Sequence, residues 1–458
     1  MYKKLLIILG SMLVMIAIII TITLSFRHLF LQWYIEKQFA HLCFTNSQLK
    51  VASIGYKQTH IKTIRFDSSL NDNSKITAKI PNVLLRYSFN SLKKARLKTI
   101  IIDKPYISVM LANNKHHKPK IFNFPQTLPF HQLKINQSKV IIAKLDDKKT
   151  PLILNISAKI NALKNRNHCE FKIISQDFLK NPFRFDDFLT ITKGQLKANG
   201  DFIWHNQQIK PLIRFNAKNI CGSFHQIKIR NLNTQILIDK AFPLQSRPDQ
   251  LIMIDKAKYG IEIHNIKIHF QIKSLTNNQF KLFINSITGN IANGQIMSQA
   301  IDIQTNKPKY YFDINVKNID LSKIVNMIHQ EKLHATGILN GKLPITIDTH
   351  GFTIKNGMLV SSKPGVIRFT ALKESTIVKK ANKSLQMTLK ALSDFHYRQL
   401  KILINHNSKT NETTLSINIS GKNPDFYDGH LVKFNIKLSG PFIQILRSYT
   451  PREWVLDV

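Results

Sequence analysis

The chain has 458 residues, 43% of them hydrophobic and 20% charged, a balance that supports a buried core and excludes a disordered or collagen-like polymer. Lysine and arginine number 66 against 27 acidic residues, a formal charge of +39, which directs attention to anionic neighbours: nucleic acid, an anionic membrane or an acidic polysaccharide. Three cysteines, Cys43, Cys169 and Cys221, are too few for a disulfide scaffold and are not spaced as a zinc site, so at most one bridge forms.

In chain order, the first element is an uncharged apolar run from Leu5 to Leu24. Its ~20 residues at ~1.5 Å per residue match the ~30 Å hydrocarbon core of a bilayer. It is too long for the apolar part of a cleaved signal peptide, and Arg27, His28 and Leu29 follow it without a small-x-small site. Residues 1–28 therefore read as an uncleaved signal anchor. Lys3 and Lys4 precede the span, so the positive-inside rule leaves the N-terminus in the cytoplasm and the rest of the chain outside it. Leu29, Phe30, Trp33, Tyr34, Phe39, Leu42 and Phe44 either continue a helix along the membrane interface or pack against the base of the following domain; both readings stay open.

Beyond residue 50 the period changes to two: Ile135, Val140 and Ile142; Leu152, Leu154 and Ile156; Phe312, Ile314 and Val316; Leu415, Ile417 and Ile419. Alternation of this kind predicts strands with one apolar face. In Ile261, Ile263, Ile266, Ile268, Phe270 and Ile272 the parity slips once at Asn265, which predicts a β-bulge. Lys193-Gly194, Asn199-Gly200, Asn293-Gly294, Asn340-Gly341 and Asn356-Gly357 read as hairpin turns. Two internal stretches have helical spacing, Asp320 to about Lys332 and Glu374 to about Asp394. The fold class is mainly β: an elongated, curled antiparallel sheet with an N-terminal transmembrane helix and a few short helices. The expected regions are 29–120 (juxtamembrane and N-terminal β), 121–309 (central) and 310–458 (C-terminal), with a break near His116-His117-Lys118-Pro119.

Catalytic signatures are missing. Gly337-x-x-x-Gly341-Lys342 has one residue too few for a phosphate loop and Leu343 where a hydroxyl must hold magnesium. Asp146-Asp147 and Asp186-Asp187 lie beside Lys148, Lys149 and Arg184 and read as solvated turns, because adjacent strand residues point to opposite faces. The 17 histidines form no metal-binding spacing, and no nucleophile elbow is present. No enzyme activity, cofactor or metal is expected. An extracytoplasmic body meets no nucleic acid, so the basic charge has two readings: lysine-rich composition, or an outer sheet face that meets anionic lipid headgroups.

In the last third, Gly337-Ile-Leu-Asn-Gly341-Lys-Leu-Pro344, then Gly351 to Gly357, then Lys363-Pro364-Gly365, and finally Gly421-Lys-Asn423-Pro424 resemble the conserved block of the YdbH-type proteins, also labelled dicarboxylate transport domain, over about residues 310–450. That family is grouped with the AsmA-like envelope proteins. The resemblance implies an inner-membrane anchor at residues 5–24 and a periplasmic β-groove that carries phospholipid between inner and outer membranes of a Gram-negative envelope. A carrier of small dicarboxylates would need several spans, whereas this sequence offers one.

The expected groove lining is Ile261, Ile263, Ile266, Ile268, Phe270, Ile272, Phe312, Ile314 and Val316, and the expected family-motif turns are Gly337, Gly341, Pro344, Gly357, Pro364, Gly365, Asn423 and Pro424. The alternative is an envelope assembly factor that pairs client strands by β-augmentation. An open sheet must end in an edge; Val432, Phe434, Ile436 and Leu438 alternate with polar residues as its last strand, where a small outer-membrane lipoprotein or other envelope partner docks. Equally open is that Pro441 to Val458 folds back as a short helix over that edge.

Overall fold

The computed structural model describes residues 44–69, 74–112, 127–144, 150–163, 166–185, 189–205, 208–224, 227–241, 243–275, 280–305, 307–327, 333–348, 351–370 and 390–441, with Leu29, Gln32, Trp33 and Met387. The expected span at 5–24, the pairs Asp146-Asp147 and Asp186-Asp187, Cys43, most of the helix expected over 374–394 and the tail after Pro441 lie outside them. Among the described residues no helix is long and apolar enough to cross a membrane. The chain divides into two compact units, one of residues 1–184, 195–216 and 238–241, the other of residues 185–194, 217–237 and 242–458.

The N-terminal unit opens with the antiparallel strands Phe44–Ile54, Gln58–Ser69 and Lys75–Arg86. The last of these pairs with both Leu97–Asp103 and Tyr106–Leu111, two halves of one strand interrupted at Lys104-Pro105, where proline offers no ladder donor. Both halves then pair with Phe130–Lys144 in parallel. The sheet is mostly antiparallel, as expected from the sequence, with this parallel pairing as its exception. Residues 112–129 separate the partners, a connection long enough to return the chain to the starting end, which a parallel neighbour requires. Leu152–Ala162, Asn167–Ser175 and the second half of Leu189–His205 continue antiparallel. Alternation places Leu85, Ile100, Leu133, Ile160, Cys169 and Phe202 in one register row across this unit.

The C-terminal unit is antiparallel throughout its described pairs. Ile227–Ala241, Gln250–Tyr259, Ile261–Leu275, Phe280–Ile291, Tyr310–Asp320, Ile338–Asp348, Gly351–Ser361, Phe395–Asn407, Glu412–Lys422 and Val432–Gly440 are its long strands. Short strands such as Gly294–Ser298 and Ile301–Gln304 extend the ladders between them. A helix covers Leu321–Met327. It starts where expected because Asp320 Oδ1 accepts from Ser322 N at 2.9 Å and Ser322 Oγ at 2.6 Å.

Asn265 has φ +51, and the register slips between His264 and Lys267, so the bulge stands where parity had slipped. The same device recurs as apolar, basic, Asn, apolar: Ala217-Lys218-Asn219-Ile220, Ile229-Arg230-Asn231-Leu232 and Val316-Lys317-Asn318-Ile319, with asparagine φ of +52, +60 and +56. Asparagine tolerates the left-handed region because its short side chain bonds locally. Where a second asparagine stands one strand away it takes up the displaced amide: Asn219 N donates to Asn233 Oδ1 at 2.9 Å, Asn318 N to Asn340 Oδ1 at 2.7 Å, and Asn356 N to Asn405 Oδ1 at 2.8 Å, whereas Asn231 N donates to Cys221 Sγ at 3.4 Å.

Most of the expected hairpin turns are corrected by this pattern. Asn293-Gly294 does turn the chain, with Ala292 and Asn293 at φ +45 and +60. Lys193-Gly194 and Asn199-Gly200 lie inside Leu189–His205, Asn340-Gly341 and Pro344 inside Ile338–Asp348, and Asn356-Gly357 inside Gly351–Ser361. Glycine is needed at 341 because a Cβ there would stand 1.9 Å from the Met358 carbonyl oxygen; it marks close backbone approach, not a turn.

Candidate functional site

The bulges fix which side chains share a face. Ile263 and Ile266, separated by Asn265, both lie over Gly289, where a Cβ would meet Ile263 Cγ2 at 2.8 Å and Ile266 Cγ1 at 3.4 Å. Cross-strand registration then builds three apolar rows: Ile252, Ile268 and Ile287; Phe270, Ile284 and Ile301; Ile272, Leu282 and Ile303. Phe270, Ile284 and Ile301 are buried, at 5%, 9% and 5% exposure, while Ile236, Ile252, Ile268, Ile272, Leu282, Ile287, Ile303 and Phe312 pack against them and stay half-buried. A dry core would bury such residues; here a row of isoleucines presents part of its surface.

Of the expected lining, Ile268, Phe270, Ile272 and Phe312 belong to this cluster. Ile266 is buried opposite Ile254, and Ile261 and Ile263 are half-buried opposite Tyr259 and Ala257. Ile314 and Val316 belong to a different cluster, around helix Leu321–Met327 with Leu339, Phe395, Tyr397 and Leu400. The sequence reading missed Leu282, Ile284 and Ile287 because a register shift around Asn285 puts them off strict alternation. It missed Ile301 and Ile303 because their strand has only four residues. Lys267 is exposed, and His269 pairs through Nδ1 with Asp249 Oδ1 at 2.7 Å.

The glycines and prolines of the C-terminal motif organise a packed region. Tyr397, 1% exposed, donates from Oη to the Thr336 carbonyl at 2.7 Å, and burial pushes its phenol above the ordinary range. Gly337 and Gly365 flank that hydroxyl; a Cβ on either would collide with Oη, at 1.8 and 2.5 Å. Pro364 stands just before Gly365 in the bend between strands. Asn423, also 1% exposed, donates from Nδ2 to the Ala391 carbonyl at 2.9 Å, and its Oδ1 accepts from Asp425 N at 2.9 Å, with Pro424 between. These contacts are architectural.

Among the described residues, Val432–Gly440 pairs on one side only, with Glu412–Lys422. Val432, Phe434 and Ile436 are half-buried, Leu438 is 42% exposed, and Lys433, Asn435, Lys437 and Ser439 are exposed. The Phe434 ring meets Phe395 edge-on at 5.5 Å.

The charged groups form pairs at the surface, both across strands and between near neighbours in sequence. Glu262 bridges Lys256 at 3.2 Å and His264 at 2.8 Å. Asp394 accepts from Arg368 Nε at 2.7 Å and meets His396 Nε2 at 3.2 Å; the Arg368 hydrogen bond, ahead of the histidine, holds its carboxyl below the ordinary value. No group of three or more His, Cys, Asp or Glu among the described residues could hold a metal ion. Cys169 and Cys221 are free thiols.

A family model described as YdbH-like, intermembrane phospholipid transport protein YdbH, matches residues 184–450, more than half of the chain and nearly all of its C-terminal unit. Comparison with curated proteins and with solved structures finds no match.

Proposed function

Because the chain belongs to the YdbH-like family of intermembrane phospholipid transport proteins, we propose that the apolar face of its C-terminal unit holds phospholipid acyl chains during that transport. In this reading residues 5–24 anchor the chain in the inner membrane and the sheet stands in the periplasm as an open groove. The observation that carries the reading is the set of half-buried isoleucines and leucines in register across successive strands. Each methylene laid against such a surface is worth ~0.8 kcal/mol relative to water, while the polar headgroup stays solvated. The family is one of lipid transport, and the reading asks for no reaction at the chain.

A photocrosslinking amino acid at Ile268 or Ile287 in the full chain, irradiated after detergent extraction so that no bilayer is present, is expected to capture phospholipid, and one at Lys267 is not. Equal labelling at the three positions, or none, would overturn the groove. A C-terminal alkaline phosphatase fusion tests the topology: activity supports it, and an inactive fusion beside a fluorescent cytoplasmic reporter sinks it.

The exposed strand Val432–Gly440 favours one addition, docking of a small outer-membrane lipoprotein or other envelope partner by β-augmentation along Val432, Phe434, Ile436 and Leu438. Proline at Ile436 removes a ladder donor and is expected to abolish partner crosslinking. If the strand instead serves client proteins of an assembly factor, the captured chains are nascent outer-membrane proteins and Ile268 captures no lipid.

A further inference from the structure

The opposite face of the same strands carries its own register rows. One runs from Arg230 through Lys256, His264 and Gln295 to Lys317. Arg230, His264 and Lys317 are the basic residues of the basic-Asn sequences, so the left-handed asparagines stand beside basic side chains, of which Arg230 and Lys317 are exposed. Lys317 is exposed beside buried Val316. Three residues along Gln250–Tyr259 and Ile261–Leu275, and two along Gly294–Ser298 and Tyr310–Asp320, lies a second row, from Met253 through Lys267, Met297 and Lys342 to Met358. Its methionines are 44%, 39% and 39% exposed. They point away from the apolar cores, for their neighbours Ile252, Ile296 and Leu359 pack inward. Glu262 and Asp313 offset Lys256 and Lys342, which leaves Arg230, Lys267 and Lys317 as the outward positive charges of the two rows.

We propose that this face of the C-terminal unit docks on an anionic phospholipid bilayer, with Arg230, Lys267 and Lys317 against lipid phosphates and Met253, Met297 and Met358 entering the headgroup layer. Charge complementarity selects an anionic partner. Flexible thioether chains interleaved with lysine select a lipid surface over a soluble polyanion, since the apolar side chains gain only where they leave water. The surface is separate from the face assigned to acyl chains, and the inference stands whether or not that face carries lipid.

The test uses the full chain in nanodiscs of phosphatidylcholine, mixed with vesicles of phosphatidylcholine alone or with an equal share of phosphatidylglycerol. Peroxide oxidation of Met253, Met297 and Met358 is followed by mass spectrometry, with Met387, 49% exposed and outside the rows, as the reference. Anionic vesicles are expected to slow oxidation of the three methionines several-fold relative to Met387. The effect should vanish at an ionic strength on the order of 1 M, where the Debye length is ~3 Å, and in a Lys267→Glu/Lys317→Glu variant. If that variant fails to fold, the salt arm on the unaltered chain decides. Equal oxidation with both vesicle types would overturn the proposal, as would equal protection by soluble polyphosphate.

Discussion

Gly337, Gly365 and Tyr397 meet at one hydroxyl, and this makes Gly337→Ala and Tyr397→Phe strongly non-additive. Alone, Gly337→Ala places a methyl carbon 1.8 Å from Tyr397 Oη and 3.2 Å from its Cζ, on a backbone whose φ of +139 disfavours any side chain. The strain costs about 1–3 kcal/mol and the overpacking a similar amount. Tyr397→Phe alone removes the bond to the Thr336 carbonyl, about 1–2 kcal/mol. In the double variant the atom at 1.8 Å is gone and only the backbone strain and the contact at 3.2 Å persist. The double change should therefore cost about 1–2 kcal/mol less than the sum. Hydrogen exchange of peptides from 338–348 and 395–407 reads this locally; each ~1.4 kcal/mol is tenfold in protection. Additivity within ~0.5 kcal/mol would refute the packing argument.

Three further outcomes are expected. Asn340→Ala deprives Asn318 N of its acceptor and should lower exchange protection of 310–320 and 338–348 by about 1 kcal/mol; Asn318→Val, with a branched side chain at φ +56, should cost more. His406 is 4% exposed, 3.0 Å from Thr413 Oγ1 and stacked 4.8 Å from Phe352, and burial lowers its pKa below the ordinary 6.5. The unfolded chain then binds the extra proton, so this contribution is complete above pH ~6.5 and is lost as pH falls through the folded value. Protection of 395–407 should drop on acidification, and a folded His406→Leu variant should lack that component. Burial first, and then the Glu170 charge, push the Cys169 thiol up to about 11; it is buried whereas Cys221 is half-buried, so alkylation near pH ~8, where the reactive thiolate of Cys169 is scarce, should label Cys221 well before Cys169.

Period-two alternation made the strands legible, because a one-sided face is a local property of sequence. The Asn265 bulge was legible for the same reason: isoleucine parity slips there and nowhere else in Ile261–Leu275. The left-handed asparagines Asn219, Asn231 and Asn318 follow the same pattern, but half of each device sits on another strand, at Asn233, Cys221 and Asn340 respectively. Asn-Gly misled because a left-handed asparagine followed by glycine suits a tight turn and a bulge equally well; Asn293 and Asn356 are both left-handed, and only the pairing distinguishes the turn at Asn293-Gly294 from the bulge at Asn356-Gly357. The parallel pairing of Leu97–Leu111 with Phe130–Lys144 leaves no trace in periodicity, since alternation says which face is apolar and nothing about a strand's neighbour. Tyr397 likewise reaches Thr336 across 61 positions, and the glycines that admit its hydroxyl read locally as turns.

If acyl chains lie on the isoleucine rows as proposed, the half-burial of those rows has an energetic consequence for transport. A diacyl lipid carries about 30 methylenes, each worth ~0.8 kcal/mol out of water, so passage through solvent alone is prohibitive. The lipid leaves a bilayer in which those methylenes are already dry, and what a carrier must supply is a surface of nearly equal quality, not a deep binding site. A tightly closed pocket would hold the lipid, and a polar face would expel it. Rows of Ile252, Ile268 and Ile287, or of Ile272, Leu282 and Ile303, repeat similar contacts from one strand to the next at ~4.8 Å spacing. A chain that slides by one strand exchanges one set of isoleucine contacts for another, so the steps are close in free energy. A lysine at Ile268 would interrupt that series with a charge, and lipid capture at Ile287 beyond it is the place to look for the break.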